Sequence, residues 1–126
     1  MVKEIDIREK ECPLKNSSLI FFNSNCIGKD HSELGEALLK TFLHTLSKSD
    51  NKPNKLVFMN SGVKMVTGDS GALESLRSLE KQGVEVLACG TCLDYFNLKN
   101  EVAVGRISNM YDILDFMPAA DKVITI

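Results

Sequence analysis

Two cysteines, Cys89 and Cys92, form a C-x-x-C pair between the apolar run 84–88 and a short helical pattern. A thiol is a poor nucleophile until it ionises, and backbone N–H groups at the start of a helix lower the pKa of a thiol from about 8.5 toward neutrality. The pair lies where a strand should end and a helix should begin. Its position therefore predicts sulfur chemistry at a strand end.

Three other interpretations of the pair remain open at this point. Cysteine is among the most buried residue types, so both thiols could simply pack in the core. A thioredoxin-like redox pair has the same spacing, but here the motif follows the third predicted strand and not the first. Zinc needs four ligands, and Cys12 and Cys26 are too distant in sequence to supply a second closely spaced pair. We therefore predict no metal and no cofactor.

Composition and charge narrow the class of protein. The 126 residues, 44% of them hydrophobic, suffice for one domain with a packed core. Fifteen basic and seventeen acidic side chains give a formal net charge of -2, which argues against a nucleic-acid partner. We expect no membrane segment, because no apolar run approaches the roughly 20 residues that span a bilayer, and residues 1–16 are too charged for a signal peptide. Four unevenly spaced cysteines favour free thiols in a reducing, cytoplasmic setting.

Short apolar runs alternate with helical patterns along the chain. The runs predict strands at 19–22, 56–59, 84–88, 102–104 and 122–126. The helical patterns cover 31–48, a segment from Asp69 or Ser70 to Gly83, a short piece after the cysteines, and 108–116. Strands that are apolar along their whole length imply a parallel sheet covered on both faces. We therefore predict an α/β fold, a three-layer α/β/α sandwich with a five-stranded, mostly parallel sheet.

The first helix has the clearest signals. Asp30 is predicted to cap it, with Glu33 as the reciprocal acid of a capping box. Apolar residues repeat every four positions and are predicted to form its buried stripe: Leu34, Leu38, Phe42 and Leu46.

Loops at the carboxyl ends of parallel strands gather into one crevice. We therefore expect the loops 23–31, 60–69, 89–92 and 105–109 to meet at one edge of the sheet. The residues predicted to line a site there are Gly90, Thr91, Asn60, Ser61, Gly62, Asn109 and His31. His31 is interpreted as a base for a neighbouring thiol or as a solvated surface group. Gly62 and Gly68 are expected at positive φ, in a loop that could also bring Lys64 near an anionic sulfur.

Four stretches, in order along the chain, carry a family resemblance. They are GKDHSELG at 28–35, FMNSGVK at 58–64, LACGTCLDYF at 87–96 and VGRISNMY at 104–111. From Phe22 to the end, the chain closely resembles the C-terminal domain of the YedF selenium-metabolism proteins, within the DsrE/DsrF-like superfamily. The resemblance implies a fold of flavodoxin-like character and a kinship with sulfur-relay proteins.

Those relay proteins carry a persulfide on a cysteine that follows the third strand, and Cys89 stands at that position. Cys92 is a feature of the YedF type, absent from many relatives. The resemblance thus implies a sulfurtransferase-like carrier that loads sulfur or selenium on Cys89. Cys92 would be the resolving thiol that expels the cargo and leaves a disulfide. Implied partners are other sulfur- or selenium-relay proteins, and we also expect a homo-oligomer.

Residues 1–17 are interpreted as an N-terminal tail or strand, and 18–126 as the DsrE/F-like domain. Residues 2–8 and 11–13 look like the opening of the TusA-like domain that YedF proteins carry, with Cys12 before Pro13 in place of its sulfur-carrying cysteine. Lys15 replaces the usual second proline, and the segment is too short for the whole domain. An ordinary charged tail is the alternative.

Two alternative functions remain open. The chain could be a non-catalytic binding or assembly module whose thiols only sense the redox state, or it could be a C-x-x-C dithiol oxidoreductase. The reactivity of the thiols and turnover with a disulfide substrate separate these from the carrier.

Overall fold

The computed structural model describes residues 17–68 and 70–126. Within these ranges the strands are β1 (Ser18–Phe22), β2 (Lys55–Phe58), β3 (Glu85–Cys89), β4 (Arg106–Ser108) and β5 (Lys122–Thr125). The α-helices are α1 (Ser32–Lys48), α2 (Leu73–Lys81), α3 (Gly90–Tyr95) and α4 (Met110–Ala119), and 3₁₀ helices cover Asn60–Val66 and Lys99–Glu101. The proposed TusA-like opening, with Cys12, lies outside the described residues.

The five strands form one sheet in the order β4-β3-β2-β1-β5, and every pair of neighbours is parallel. The chain steps in one direction from β1 to β4 and then returns to the far side of β1. Right-handed crossovers, the rule for parallel strands, therefore place α1, α2 and α3 on one face and α4 on the other. The predicted α/β sandwich with a five-stranded parallel sheet is confirmed.

The central strands supply the core because both of their faces are covered. Phe22 at the end of β1 stacks on Phe58 at the end of β2, with ring centroids 4.6 Å apart. Phe42 of α1 meets Phe22 edge-on at 6.0 Å. By contrast, all four residues of β5 are exposed. The expectation of strands buried on both faces thus holds at the centre of the sheet and fails at β5, which among the described strands pairs with β1 alone.

α1 spans nearly the predicted residues, but it faces the core differently. Its buried residues are Gly35, Leu39, Leu43 and Ser47, one position later than the predicted stripe. Leu34 and Leu38 are 56% and 43% exposed, whereas Phe42 and Leu46 pack against the core. A Cβ at Gly35 would lie 2.8 Å from Cys26 Cβ. The close approach of this glycine to the loop after β1 sets the helix orientation that turns Leu39 and Leu43 inward.

The start of α1 also differs from the prediction. The residue at the N-cap position is His31, and no side chain caps the helix there. The capping box of Asp30 and Glu33 is therefore wrong. α2 likewise begins at Leu73 after Ala72, later than the predicted caps. Gly83, at φ +98°, follows the end of α2 as predicted.

The fourth strand is displaced from its predicted place. Residues 102–104 form a connection in which the Ala103 N–H donates to the Val66 carbonyl at 2.8 Å, and the strand itself is Arg106–Ser108. Gly105, at φ +78°, precedes β4, and a Cβ there would lie 2.7 Å from the Val86 carbonyl oxygen. Gly105 therefore lies at the amino end of β4, away from the predicted crevice. In the described part of the chain no helix is both long and apolar enough to cross a membrane.

Candidate functional site

The C-x-x-C pair lies where β3 passes into α3. Cys89 is the last residue of β3 and the N-cap of α3, and it is only 1% exposed. Cys92, in the first turn of α3, is half-buried. Gly90 is buried between them, and a Cβ there would lie 3.2 Å from Ile107 Cγ2 and 3.3 Å from the Ser108 carbonyl oxygen. A small residue at position 90 thus lets the turn lie against β4.

A main-chain donor from the neighbouring strand end reaches the second thiol. The backbone N–H of Asn60 donates to Cys92 Sγ, with 3.0 Å between nitrogen and sulfur. Asn60 follows Met59 at the end of β2, and its φ of +54° places it in the left-handed region. Asparagine tolerates this region better than most residues do. The predicted involvement of Asn60 thus takes the form of a main-chain contact, which the residue type alone does not indicate.

Gly62 holds the 3₁₀ helix Asn60–Val66 close to the end of β1. A Cβ on Gly62 would lie 2.6 Å from the Phe22 carbonyl oxygen. That oxygen already accepts the Met59 N–H at 2.9 Å. The positive φ predicted for Gly62 and Gly68 is wrong, since the glycines at positive φ in the described residues are Gly28, Gly83 and Gly105. Gly62 is required by close backbone packing, and Gly68 has open space around it.

Ser61 ties the loop after β1 to the same 3₁₀ helix. Its hydroxyl oxygen accepts the Asn25 N–H at 3.2 Å and lies 3.5 Å from the Ser24 hydroxyl. Both loops therefore meet at the carboxyl edge of the sheet, as predicted. The Ser61 hydroxyl organises the loops, and the main chain of the preceding residue, Asn60, contacts the thiol.

The pKa of Cys92 is raised, whereas a thiol at the start of a helix was expected to have a lowered pKa. Burial raises the pKa of the Cys92 thiol above its ordinary value, the Asn60 N–H acts to lower it, and the Cys89 side chain raises it again. The balance is upward because burial has the largest effect on the pKa and exceeds the opposing effect of the Asn60 N–H. Cys92 therefore rests as a neutral thiol near pH 7.

The remaining predicted residues take different places. Thr91 is exposed on the first turn of α3. Asn109 caps α4, since its side-chain oxygen accepts the Asp112 N–H at 2.9 Å. His31 is exposed at the start of α1, where its carbonyl oxygen accepts the Gly35 N–H at 2.8 Å. Among the described residues, the hydrogen bonds of the thiol pair do not include the His31 ring.

Ser108 was missed by the sequence analysis because β4 was predicted several residues earlier. It is paired in register with Cys89 and is 5% exposed. Within the described part of the chain its hydroxyl has no hydrogen-bond partner. A buried hydroxyl without a partner costs about 1–3 kcal/mol, and this one lies on the strand next to the first thiol.

A cavity of about 440 Å³ opens on the same side of the molecule as the 3₁₀ helix Asn60–Val66. Its lining includes Phe96, the residue that follows α3, whose N–H donates to the Cys92 carbonyl oxygen at 3.2 Å. Lys64 Nζ lies 4.7 Å from the centroid of the Phe96 ring. The lining combines two lysines with apolar and small polar side chains: Asn25, Glu36, Lys40, Lys64, Met65, Thr67, Ser70, Gly71, Phe96 and Leu98. Such a cavity is large enough for a small organic ligand.

Solved structures share this fold at low sequence identity. The ychN protein from E. coli superposes with a TM-score of 0.60 at 18% identity, covering 87% of this chain and 99% of that one. MTH1491 from Methanobacterium thermoautotrophicum, a protein of unknown function, gives 0.61 at 16% identity, covering 88% and 100%. BT1422 from Bacteroides thetaiotaomicron, also of unknown function, gives 0.58 at 14% identity, covering 87% and 95%. These similarities establish the fold alone.

No curated protein matches the chain. The sequence model of the DsrE/DsrF-like family, however, matches residues 27–126. This range includes α1, the 3₁₀ helix with Asn60 and the whole C-x-x-C turn. The chain therefore belongs to the DsrE/DsrF-like family.

Proposed function

We propose that the protein is a sulfur carrier in which Cys89 and Cys92 act as a pair. The observation that carries the proposal is the Asn60 N–H, which lies 3.0 Å from Cys92 Sγ at a strand-end turn holding both thiols. A main-chain donor at a sulfur stabilises the anion that forms there. The family membership supports the proposal, through the kinship with sulfur-relay proteins that the resemblance implies.

The chemistry needs two transfers. In the first, a thiolate of the pair attacks the outer sulfur of a donor persulfide, R–S–SH, forming a new S–S bond and releasing the donor thiolate R–S⁻. In the second, the other thiol attacks the inner sulfur, HS⁻ leaves, and a Cys89–Cys92 disulfide remains. The two cysteines are oxidised and the transferred sulfur is reduced. A dithiol reductant then reopens the disulfide.

We further propose that the transferred element is selenium. The YedF resemblance suggests a selenopersulfide as the loaded form, with HSe⁻ as the released species. The same two thiols and the same Asn60 donor would serve both elements. Comparing loading from a persulfide with loading from a selenopersulfide donor, at equal concentration, decides which cargo is preferred.

We also propose that the protein works as a homo-oligomer that exchanges sulfur with relay partners. Large apolar side chains are exposed on α4 and on the strand just before it: Ile107, Met110, Tyr111, Leu114 and Met117. Exposed apolar patches of this kind mark association surfaces. Analytical ultracentrifugation of the wild type should give a dimer or larger, and Leu114→Glu should lower its mass. A wild-type monomer at every concentration tested would exclude the oligomer.

The raised pKa of Cys92 and the 440 Å³ cavity favour a second candidate function. A thiol that is neutral near pH 7 reacts slowly, which favours a ligand-binding module over transfer chemistry. A dithiol oxidoreductase would instead reduce a disulfide substrate repeatedly without any persulfide. The carrier is distinguished from both by stoichiometric uptake of sulfur from a persulfide donor.

The test is intact-mass spectrometry after incubation with glutathione persulfide. We expect the wild type to gain one sulfur atom or to end as the disulfide with release of sulfide. The double variant Cys89→Ser/Cys92→Ser should show neither, and it retains Cys26 as an internal control thiol. A double variant that gains sulfur or releases sulfide as readily as the wild type, or a wild type that does neither, would refute the carrier function.

A further inference from the structure

Resting on the proposed function, we infer that Cys92 accepts the sulfur from the donor and that Cys89 is the resolving thiol. This order is the reverse of the one that the sequence resemblance implies. Three features of the described residues lead to it: the burial of Cys89, the donor at Cys92 and the contact between the two side chains.

Access to the donor favours Cys92. The attacking sulfur must reach the outer sulfur of a persulfide on another molecule, approximately in line with the bond that breaks. Cys89 is 1% exposed and belongs to the hydrophobic core. Cys92 is half-buried at the edge of α3. A donor therefore meets Cys92 first, whereas reaching Cys89 requires the strand-end turn to open.

The Asn60 N–H is aimed at Cys92 and not at Cys89. It can donate to the thiolate that attacks and then to the persulfide anion that results. Asn60 holds this position at φ +54°, a conformation that costs most non-glycine residues on the order of 1–3 kcal/mol and asparagine less. Strained residues of this kind cluster at functional sites because the surrounding structure is organised around them. Here the strained residue carries the donor to the accepting sulfur.

Cys89 suits the second step. It is buried in the core three residues before Cys92 in the same turn, and its side chain is near enough to raise the pKa of the Cys92 thiol. Once Cys92 is loaded, Cys89–SH and Cys92–S–S⁻ give the Cys89–Cys92 disulfide and HS⁻. The proton of Cys89 leaves with the sulfide, and two electrons pass from the cysteines to the transferred sulfur. Because Cys89 is shielded from solvent, it attacks its neighbour and is protected from other oxidants.

Single variants test this order under the same glutathione persulfide treatment. Cys89→Ser should take up one sulfur atom and retain it, because the pair then lacks the second thiol that would expel it. Cys92→Ser should take up less than a tenth of that amount. Cys26→Ser, which changes a thiol outside the pair, should behave like the wild type. The Cys89→Ser protein should also release at least tenfold less sulfide than the wild type does.

The opposite pattern, with Cys92→Ser loaded and Cys89→Ser unloaded, would overturn the inference and leave the carrier function intact. Equal loading of both single variants would overturn it as well. A wild type that neither takes up sulfur nor forms the disulfide with release of sulfide would remove the proposed function and this inference with it. A measurement on the wild type avoids any folding defect of the variants: brief alkylation at pH 9 with fragment-ion mapping should modify Cys92 at least tenfold faster than Cys89. Faster modification of Cys89 would again overturn the order.

Discussion

Replacing Gly62 with alanine should destabilise the protein by forcing apart two pieces of backbone at the candidate site. The added Cβ would lie 2.6 Å from the Phe22 carbonyl oxygen, about 0.8 Å closer than the 3.4 Å at which ordinary contact begins. Phe22 is fully buried, and its carbonyl accepts the Met59 N–H at 2.9 Å. Neither the Phe22 carbonyl nor the backbone at Gly62 can move away without weakening the hydrogen bond from the Met59 N–H.

The expected loss is about 1–3 kcal/mol of unfolding free energy. Overpacking costs about 1–3 kcal/mol, and the weakened hydrogen bond costs about 1 kcal/mol more. Alanine returns about 0.4–1 kcal/mol by restricting the unfolded chain. Because the 3₁₀ helix that begins at Asn60 would shift, the Asn60 contact to Cys92 should also lengthen, and sulfur loading should slow.

Gly68→Ala is the matched control. Its Cβ would meet nothing within 4 Å, and its φ is not in the left-handed region. We expect a change between zero and about 1 kcal/mol in the stabilising direction. Urea unfolding followed by circular dichroism measures both variants. A Gly62→Ala protein as stable as the wild type, or a Gly68→Ala protein that loses as much, would refute the packing argument.

Further predictions concern the donor, an ion-pair cluster and the thiol. Asn60→Gly should load sulfur within about twofold of the wild type, whereas Asn60→Val should load at least fivefold more slowly, since a β-branched residue resists positive φ; equal rates would contradict this. The hydrogen bond from Arg106 lowers the pKa of the Glu85 carboxyl group, with Lys55 acting in the same direction and burial opposing it. The stabilisation from these contacts is therefore present above pH 4.5 and is lost on acidification through the lowered pKa. In urea titrations Glu85→Gln should therefore cost less than about 1 kcal/mol at pH 7 and progressively less below pH 4.5; a constant difference would exclude this cause. The raised pKa of Cys92 predicts alkylation, followed by mass spectrometry, that still accelerates above pH 9; a plateau below pH 8 would contradict it.

The sequence predicted the thiol turn well because its signals are local. The apolar run before Cys89 and the small residue Gly90 indicate a buried strand and a tight turn without reference to the rest of the chain. β4 was misplaced for the opposite reason. Arg106, Ile107 and Ser108 form a short edge strand with no continuous apolar run, and its position is set by pairing with β3.

The orientation of α1 and the donor at Cys92 could not be obtained from residue types. α1 carries two neighbouring apolar stripes, one with Leu34 and Leu38 and one with Leu39 and Leu43, and either could face the core. The close approach of Gly35 to Cys26 Cβ decides between them. The donor at the sulfur is a main-chain N–H, which every residue except proline carries. Only the meeting of two loops in space selects Asn60.

The proposed function requires sulfur to pass through the C-x-x-C pair. Its most direct measurement is fragment-ion mass spectrometry of the wild type, quenched with an alkylating agent within seconds of adding one equivalent of glutathione persulfide. We expect one additional sulfur atom, located on Cys92, that disappears as the Cys89–Cys92 disulfide and free sulfide appear. Sulfur found only on Cys12 or Cys26, or no sulfur on the chain at any time, would contradict this expectation.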